Sequence, residues 1–410
     1  MKKVYLVGGA VRAQIMGIEA SDHDYVVVGS TEKEMINEGF VRVGKHFPVF
    51  HHPETNDEYA LARKEKKTSK GYSGFACEHT PEITLGEDLF RRDFTMNSIA
   101  QCIETGALID PYGGIDDIRA KVIRHTNDKA FADDPLRVLR AARFLAQFGD
   151  DWTVAPETIA LFKKAATEIP DLPRERVWKE TEKALSGRKP VKFFEALYGL
   201  GLVDELDRLK GVPQRKDYHP EGCAYTHTLM VMDYASKHFA PKVVFGALCH
   251  DLGKSIAYEE TGMLRGHEEM GEQPVKALCK RLGIPNEYKD FGVKSTLLHT
   301  KCHKVSELNE KTIWKIFSEM GALKNDFPTN FIKLIQVCES DAKGRGAPFN
   351  SKLYTQRDEW NTLLKAVRGF DRKKHVQVLI SRGVKGRALS EEIRKAQLKL
   401  IKQIKSEIHQ

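Results

Sequence analysis

The chain has 410 residues, 41% of them hydrophobic and 30% charged; at roughly 150 residues per domain this gives two to four domains and excludes a lone small domain and wholesale disorder. No uncharged apolar run approaches the ~18 to 20 residues of a membrane helix, and seven scattered cysteines without a Cys-x-x-Cys pair make neither a disulfide framework nor a thiolate metal site, so a reducing, cytoplasmic protein with no membrane partner is expected. The net charge of +8 is uneven: residues 361–410 hold 13 Lys and Arg against 4 Asp and Glu, a basic tail on a nearly neutral body that suggests a polyanionic partner.

The first 125 or so residues alternate short β-rich runs (Val4–Val7, Tyr25–Val28, Phe40–Val43, Glu58–Ala62) with glycine punctuation, which predicts an α+β head. Thr31 and Glu34 form a capping box for a helix that Gly39 stops. From Asp134 the period changes to helical, with breaks at Pro156, Pro170–Pro173 and near Gly187 and Pro190. A Pro/Lys/Gly-rich loop at 210–222 precedes a second helical segment, about 225–342, that gathers six of the 15 histidines. The tail predicts a helix with Ser390 as N-cap and Glu391-Glu392 at its positive end. Ile393, Ala396, Leu400, Ile401, Ile404 and Ile408 line one face, and Arg394, Lys395, Lys399, Lys402 and Lys405 the other. The expected segments are a head at 1–130, a neck at 131–215, a histidine-rich domain at 216–345 and a basic helical tail at 346–410.

Two groups of residues carry chemistry. Near the start, Gly8-Gly9-Ala10-Val11-Arg12 reads as a strand that turns into a helix, a turn whose backbone N–H groups can face a phosphate. Asp22-His23-Asp24 follows, then the strand Tyr25–Val28. Residues i and i+2 of a strand share a face, so Asp22 and Asp24 would project together and repel unless cations lie between them. Oxygen-only ligands favour Mg²⁺, which recruits substrate phosphates. Later in the chain, His227, the pair His250-Asp251 with Lys254, and Asp341 combine imidazole and carboxylate ligands suited to a transition metal that activates water against a phosphoester. Lys254 could neutralise the phosphate. His267, His299 and His303 are candidates for a second metal or for substrate, and His299 and His303 at i and i+4 share a helix face.

Further motifs narrow the reading. Gly8–Arg12 with Asp22-His23-Asp24, then Arg91-Arg92-Asp93-Phe94-Thr95-Met96-Asn97, then Asp133-Asp134-Pro135-Leu136-Arg137 running on through Arg140 to Arg143, resemble in order and spacing the motifs of bacterial tRNA CCA-adding enzymes of the polymerase β-like superfamily. The stretches Val43–Phe50 and Glu58–Arg63 also look family-like, and the likeness is weakest in the tail. The chain departs from the family at Ala13, where an acidic residue is usual and whose loss puts the support of Arg12 in question, and at Asp133, where Glu is common.

The resemblance implies a nucleotidyltransferase head with a small mixed sheet, followed by an all-helical neck, an HD domain and a tail. It implies catalytic Asp22 and Asp24 holding Mg²⁺, and CTP and ATP bound by Gly9, Arg12, Arg92, Asp93, Asp134, Arg137, Arg140 and Arg143. Asp134 and Arg137 would read the base: a carboxylate accepts from the exocyclic amine of cytosine or adenine while a guanidinium donates to the ring nitrogen, and uracil or guanine would leave both charges unpaired. Four polar residues at spacing three drift about 60° per step round a helix, so Arg92, Arg140 and Arg143 would instead hold phosphates or brace the pocket. Asp93 would help select the ribose, or else pair with Arg91. Asp134-Pro135 also reads as an N-cap with proline at the first helical position.

His227, His250, Asp251, Asp341 and Lys254 resemble the HD phosphohydrolase signature. The HD-bearing type implies 2′,3′-cyclic phosphodiesterase, 2′-nucleotidase and phosphatase activity with Ni²⁺ or another divalent transition metal. Template-independent addition of CCA to tRNA is the expected function. A poly(A) polymerase, or an enzyme that nucleotidylates a protein and reverses the modification with its HD domain, are the alternatives. Monomer and homodimer are equally compatible with the sequence.

Overall fold

The computed structural model describes residues 1–20, 22–43, 48–67, 75–324 and 328–409; within the family-like stretch Val43–Phe50, residues 44–47 lie outside the described residues. The chain divides into two compact units, Met1–Ala184 with Lys192–Gly201, and Leu185–Val191 with Leu202–Gln410. It is α+β, with its main sheet in the first unit and a helical remainder.

The first unit contains β1 (Lys3–Val7), α1 (Gly9–Met16), β2 (Asp24–Val28), α2 (Glu32–Asn37), β3 (Val41–Arg42), β4 (Val49–His51), β5 (Glu58–Leu61), β6 (Lys64–Lys67), β7 (Phe75–Glu78), α3 (Leu85–Phe90), β8 (Ala100–Cys102), β9 (Leu108–Ile109) and α4 (Gly114–Ala120). Seven of these strands form one sheet in the order β3-β4-β5-β2-β1-β8-β9, antiparallel except for the parallel pair β2 and β5. Alternation along β2 buries Val26 on one face, with Tyr5, Val7, Leu85 and Leu89, and Val27 on the other, with Met35, Phe50 and Leu61. Apolar residues covered on both faces make this the core of the head. The capping box is present: Thr31 accepts from the Glu34 amide, and Glu34 reaches back to the Thr31 amide at 2.8 Å.

Beyond the sheet run β10 (Val122–Ile123), α5 (Ala130–Asp133), α6 (Arg137–Phe148), β11 (Thr153–Val154), α7 (Pro156–Ala166), α8 (Arg174–Leu185), α9 (Val191–Leu197) and α10 (Asp204–Asp207). The neck is helical apart from β11, which pairs in parallel with β10. The helix expected at Asp134 starts instead at Arg137. Asp134 is extended and precedes a turn closed by the Arg137 amide on the Asp134 carbonyl, and its carboxylate accepts from the Leu136 amide at 3.2 Å.

The second unit is built from α11 (Ala224–His238), α12 (Pro241–Cys249), α13 (Lys254–Thr261), α14 (His267–Met270), α15 (Glu272–Arg281), α16 (Asn286–His303), α17 (Glu310–Glu319), α18 (Thr329–Lys343), α19 (Gln356–Gly369), α20 (Arg372–Ser381) and α21 (Gly386–Ile408). Helix α12 packs against α11, α16 and α18. A Cβ on Gly246 would stand 2.6 Å from Val337 and 2.7 Å from Phe291, and one on Gly292 would stand 2.9 Å from Cys249, so glycine at these crossings lets the helices approach closely. The tail helix starts at Gly386, and Ser390 lies inside it rather than at its cap. Ile393 and Ile401 are buried as its apolar stripe predicts. No helix among the described residues is long and apolar enough to cross a membrane.

Candidate functional sites

In the first unit, β1 ends at Val7, paired across the sheet with Asp24, and Asp24 pairs on its other side with Glu58 of β5. Gly8, at φ 69°, then turns the chain into α1, a left-handed conformation that favours glycine. The glycine turn and the carboxylate are therefore neighbours by register. Only Asp24 belongs to β2; Asp22 lies two residues before it, because pairing with β1 stops where Gly8 turns away. Burial pushes the Asp24 carboxyl up, Arg92 opposes this, and the Asp22 charge pushes it further up. Glu58 is raised by burial and by Asp24. This crowding of carboxylates fits a divalent cation. Arg92 closes the other side: a Cβ on Gly8 would come 3.2 Å from its Nη1, and its Nη2 bonds Asp88 at 3.1 Å.

Asp93 is the centre of a saturated network. Its Oδ1 accepts from the Phe94 amide and from Asn97 Nδ2, both at 2.8 Å, and its Oδ2 from Arg140 Nε at 2.8 Å and Nη2 at 2.6 Å. Four donors fill a carboxylate's acceptor sites, so Asp93 braces the pocket in this structure and offers no lone pair to a ribose. Burial works against its charge, but Arg140, Arg137 and Asn97 prevail and hold it below the ordinary carboxylate range. Arg91 pairs with Asp88 at 2.7 Å, not with Asp93.

Arg12 donates to Asn97 and lies over the rings of Phe144 and Phe148, with its carbon 4.9 and 5.6 Å from their centroids. These contacts support it although Ala13 brings no acid. Burial lowers its pKa to about 10, with Asp93 opposing. Arg143 stacks on Phe144 and bonds Glu180 at 2.5 Å and Gln147 at 2.6 Å. Arg140 and Arg143 are thus braces shared with α8. Of the two proposed base readers, Asp134 bonds Arg176 of α8 at 2.8 Å, and Arg137 donates to the carbonyls of Arg91 at 2.6 Å and Arg92 at 3.3 Å. Asn97 closes the Arg91–Asn97 motif but was given no role from sequence; Asp88, Arg176 and Glu180 were not singled out, and of these only Asp88, four residues before Arg92, carried a local signal.

In the second unit the chain brings His227, His250, Asp251, His267, His299 and Asp341 together. His250 donates Nδ1–H to the Ala247 carbonyl at 2.6 Å, His267 to Leu264 at 2.8 Å and His299 to Thr296 at 2.9 Å, while His227 Nδ1 bonds Glu221 at 2.7 Å. With every Nδ1 anchored outward, every Nε2 is left for the interior, the arrangement that metal-binding histidines use. Asp251 lies between two such pairs. Its Oδ2 is 3.1 Å from His250 Nε2 and 3.6 Å from His227 Nε2, and its Oδ1 is 3.3 Å from His267 Nε2 and 3.6 Å from His299 Nε2. Both oxygens are buried and lack a formed hydrogen bond, although Lys254 Nζ makes an ion pair with Oδ2 at 2.6 Å and donates to Gln214 at 2.5 Å. Buried carboxylate oxygens amid inward-facing imidazoles fit a borderline transition metal. His227, His250 and Asp251 form one such group, with Asp341 3.0 Å from His227 Nε2, and Asp251, His267 and His299 another.

Burial opposes the charge on Asp251, yet His250 and Lys254 hold it far below the ordinary range; for Asp341 burial is likewise overcome, by His303 and His227. Burial drives His299 down to about 3, keeping it neutral as a ligand must be. His303 differs, donating Nε2–H to Asp341 at 2.7 Å and accepting at Nδ1 from the Tyr354 hydroxyl at 3.1 Å, which makes it the orienter of a carboxylate. Gly253 sets the closure of α14: a Cβ there would lie 2.0 Å from the His267 carbonyl. The cluster opens into a cleft of 570 Å³ rimmed by Lys304, Arg345 and Lys352.

A head sheet with paired carboxylates at a glycine turn, and a helical unit with a His/Asp cluster, define a nucleotidyltransferase head joined to an HD domain. Family models agree: the poly A polymerase head domain matches residues 4–124, the probable RNA and SrmB-binding site of polymerase A residues 151–207, and the HD domain residues 224–325. The multifunctional CCA protein of Actinobacillus pleuropneumoniae serotype 5b (strain L20) is 40% identical over 419 aligned positions, covering 99% of this chain and all of that one. That of Chromobacterium violaceum is 45% identical, covering 86% and 88%. The chain belongs to the multifunctional CCA protein family. In fold it is similar to the Bacillus stearothermophilus CCA-adding enzyme solved with CTP, at TM-score 0.64 and 21% identity, covering 98% of this chain and 88% of that one.

Proposed function

We propose that the chain adds and repairs the 3′-terminal CCA of tRNA without a nucleic-acid template, using CTP and ATP, and that its second unit hydrolyses phosphoesters as a 2′,3′-cyclic phosphodiesterase, 2′-nucleotidase and phosphatase. The observation that carries the reading is the register that sets Asp24 beside the Gly8 turn with Arg92 over it, in a chain of this family. The turn amides around Gly9 and the Arg92 guanidinium bind triphosphate, and the tRNA 3′ hydroxyl displaces pyrophosphate from the α-phosphorus. Asp22 and Asp24 would hold Mg²⁺, which neutralises charge at the phosphates. Asp134 and Arg137 read the base, while Arg12, Asp93, Arg140 and Arg143 hold the pocket in shape. The work is divided among a head at 1–130, a base-reading neck at 131–215, an HD domain at 216–345 and a tail at 346–410 that contacts tRNA phosphates.

In the HD domain His227, His250, Asp251 and Asp341 would hold Ni²⁺ or another divalent transition metal, which supplies Lewis acidity and water activation when bound. His267 and His299 share Asp251 as a second position, and Lys254 faces the phosphate.

One assay decides between the head readings. tRNA transcripts ending before CCA, after C and after CC are incubated with each labelled nucleotide and Mg²⁺, and product lengths are read on a gel. Additions of three, two and one nucleotides from CTP and ATP are expected. Long adenylate tails on all three substrates would make the protein a poly(A) polymerase instead.

A further inference from the structure

One carboxylate in the second unit holds two histidines. Glu221 Oε1 lies 2.7 Å from His227 Nδ1 and 3.0 Å from His219 Nδ1, and the two rings meet edge to face with centroids 4.7 Å apart. The Glu221 side chain is 3% exposed and its Oε2 is buried without a hydrogen bond. It arrives from the loop before α11, six residues ahead of His227, outside the HD-domain match at 224–325. A carboxylate oxygen accepts, so both imidazoles donate Nδ1–H to it and both turn their Nε2 edges away. For His227 that edge faces Asp341, His250 and Asp251. His219 lines the cleft along with Lys254 and His303, so its Nε2 edge is the one left for a ligand there.

We propose that Glu221 is a positioning residue that fixes His227 for metal binding and, through the same oxygen, presents His219 Nε2 as a hydrogen-bond acceptor to a hydroxyl of the phosphoester substrate. Backbone carbonyls anchor His250, His267 and His299; Glu221 is the side-chain counterpart for the remaining Nε2-facing histidine, and through one oxygen it couples the metal group to a residue of the cleft. A hydroxyl next to the reacting phosphate is what a ribose 2′- or 3′-phosphomonoester offers and a 2′,3′-cyclic phosphate does not, which makes a nucleotide end with a monoester the substrate class of this contact. The inference rests on the hydrolase reading above.

The test uses the full chain, titrated with Ni²⁺ and Mn²⁺ by calorimetry, and assayed with 2′,3′-cyclic AMP, 2′-AMP and p-nitrophenyl phosphate. Glu221→Ala should weaken metal binding about 10- to 100-fold, as loss of an outer-shell partner does. Glu221→Gln retains an acceptor oxygen and should recover most of that affinity, which also guards against a variant that merely fails to fold. His219→Ala should leave metal affinity unchanged and raise the KM for 2′-AMP, whose 3′ hydroxyl adjoins the phosphate, but not for 2′,3′-cyclic AMP, in which both ribose oxygens are esterified, nor for p-nitrophenyl phosphate, which has no neighbouring hydroxyl. Wild-type metal affinity in Glu221→Ala, or a Gln variant as weak as the Ala one, would overturn the positioning role. Equal KM changes for all three esters, or none, would overturn the His219 contact. A wild-type protein that binds neither ion would overturn the hydrolase reading itself and the inference with it.

Discussion

At the scale of single residues, the head depends on buried charges held by specific partners, Asp93 above all. Asp93 is held below its ordinary pKa against the cost of burial, so its contribution to stability is complete above the unfolded value of about 3.9 and is lost as pH falls through the folded value. The melting-temperature gap between wild type and Asp93→Asn should therefore be wide at pH 7 and narrow as pH drops below about 4; a gap independent of pH would dissociate Asp93 from this role. Asp93→Ala leaves Arg140 only the longer pair with Glu180 at 3.5 Å and should cost up to about 3 kcal/mol. Asp134 accepts from the Leu136 amide in the turn before α6 and from Arg176, contacts worth about 1 kcal/mol, so Asp134→Ala should melt a few degrees lower. If it also reads the base, CMP incorporation should fall and the CTP-to-UTP preference should fall with it, by about tenfold or more for a lost charged hydrogen bond. A lower melting temperature with the preference intact would leave Asp134 a structural residue of the turn only.

Elements explain what the sequence made legible. Strands β1 and β2, the capping box and the histidine-bearing helices follow from local pattern, and Gly8 with Asp24 and His250 with Asp251 lie within motifs short enough to see. Partners distant in the chain did not show. Glu180 and Arg176 reach Arg143 and Asp134 from α8, and Tyr354 reaches His303 from before α19, contacts that only tertiary packing creates. Helix ends misled twice. Arg387, Ala388 and Leu389 are strong helix formers, so α21 runs back past Ser390 to Gly386. Pro135 permits a turn before α6, so the helix begins at Arg137. Gly253 is an element-scale determinant of the HD cluster, since any Cβ there meets the His267 carbonyl. Gly253→Ala should force α14 outward and reduce phosphoester hydrolysis and metal affinity at least tenfold, while CMP incorporation by the head continues. Unaltered metal binding would show that α14 does not position the site.

For the whole molecule, two sites on two compact units predict separable activities. Asp22→Ala or Asp24→Ala should abolish nucleotide addition and spare hydrolysis of 2′,3′-cyclic AMP. His250→Ala or Asp251→Ala should do the converse, tested with Ni²⁺, Co²⁺, Mn²⁺ and Mg²⁺ in turn. Loss of both activities from one substitution would contradict the division. The tail adds a polyelectrolyte term. Helix α21 buries Ile393 and Ile401 and leaves Lys395, Lys399 and Lys402 exposed, so neutralising the three together should raise the tRNA KM, flatten its salt dependence and leave the CTP KM nearly unchanged. An unchanged salt slope would make the helix purely structural.

The two proposed base readers are oriented before any substrate arrives. Asp134 accepts from the Leu136 amide and from Arg176, and Arg137 donates to the carbonyls of Arg91 and Arg92, while a carboxylate with two donors and a guanidinium with two acceptors each keep further sites. If these residues read the base, cytosine and adenine would meet side chains already fixed by the protein, and little ordering entropy would be left to lose on binding. A wrong base would then face rigid groups that cannot turn aside to avoid an unpaired charge. Under this reading fidelity depends on stiffness as much as on charge.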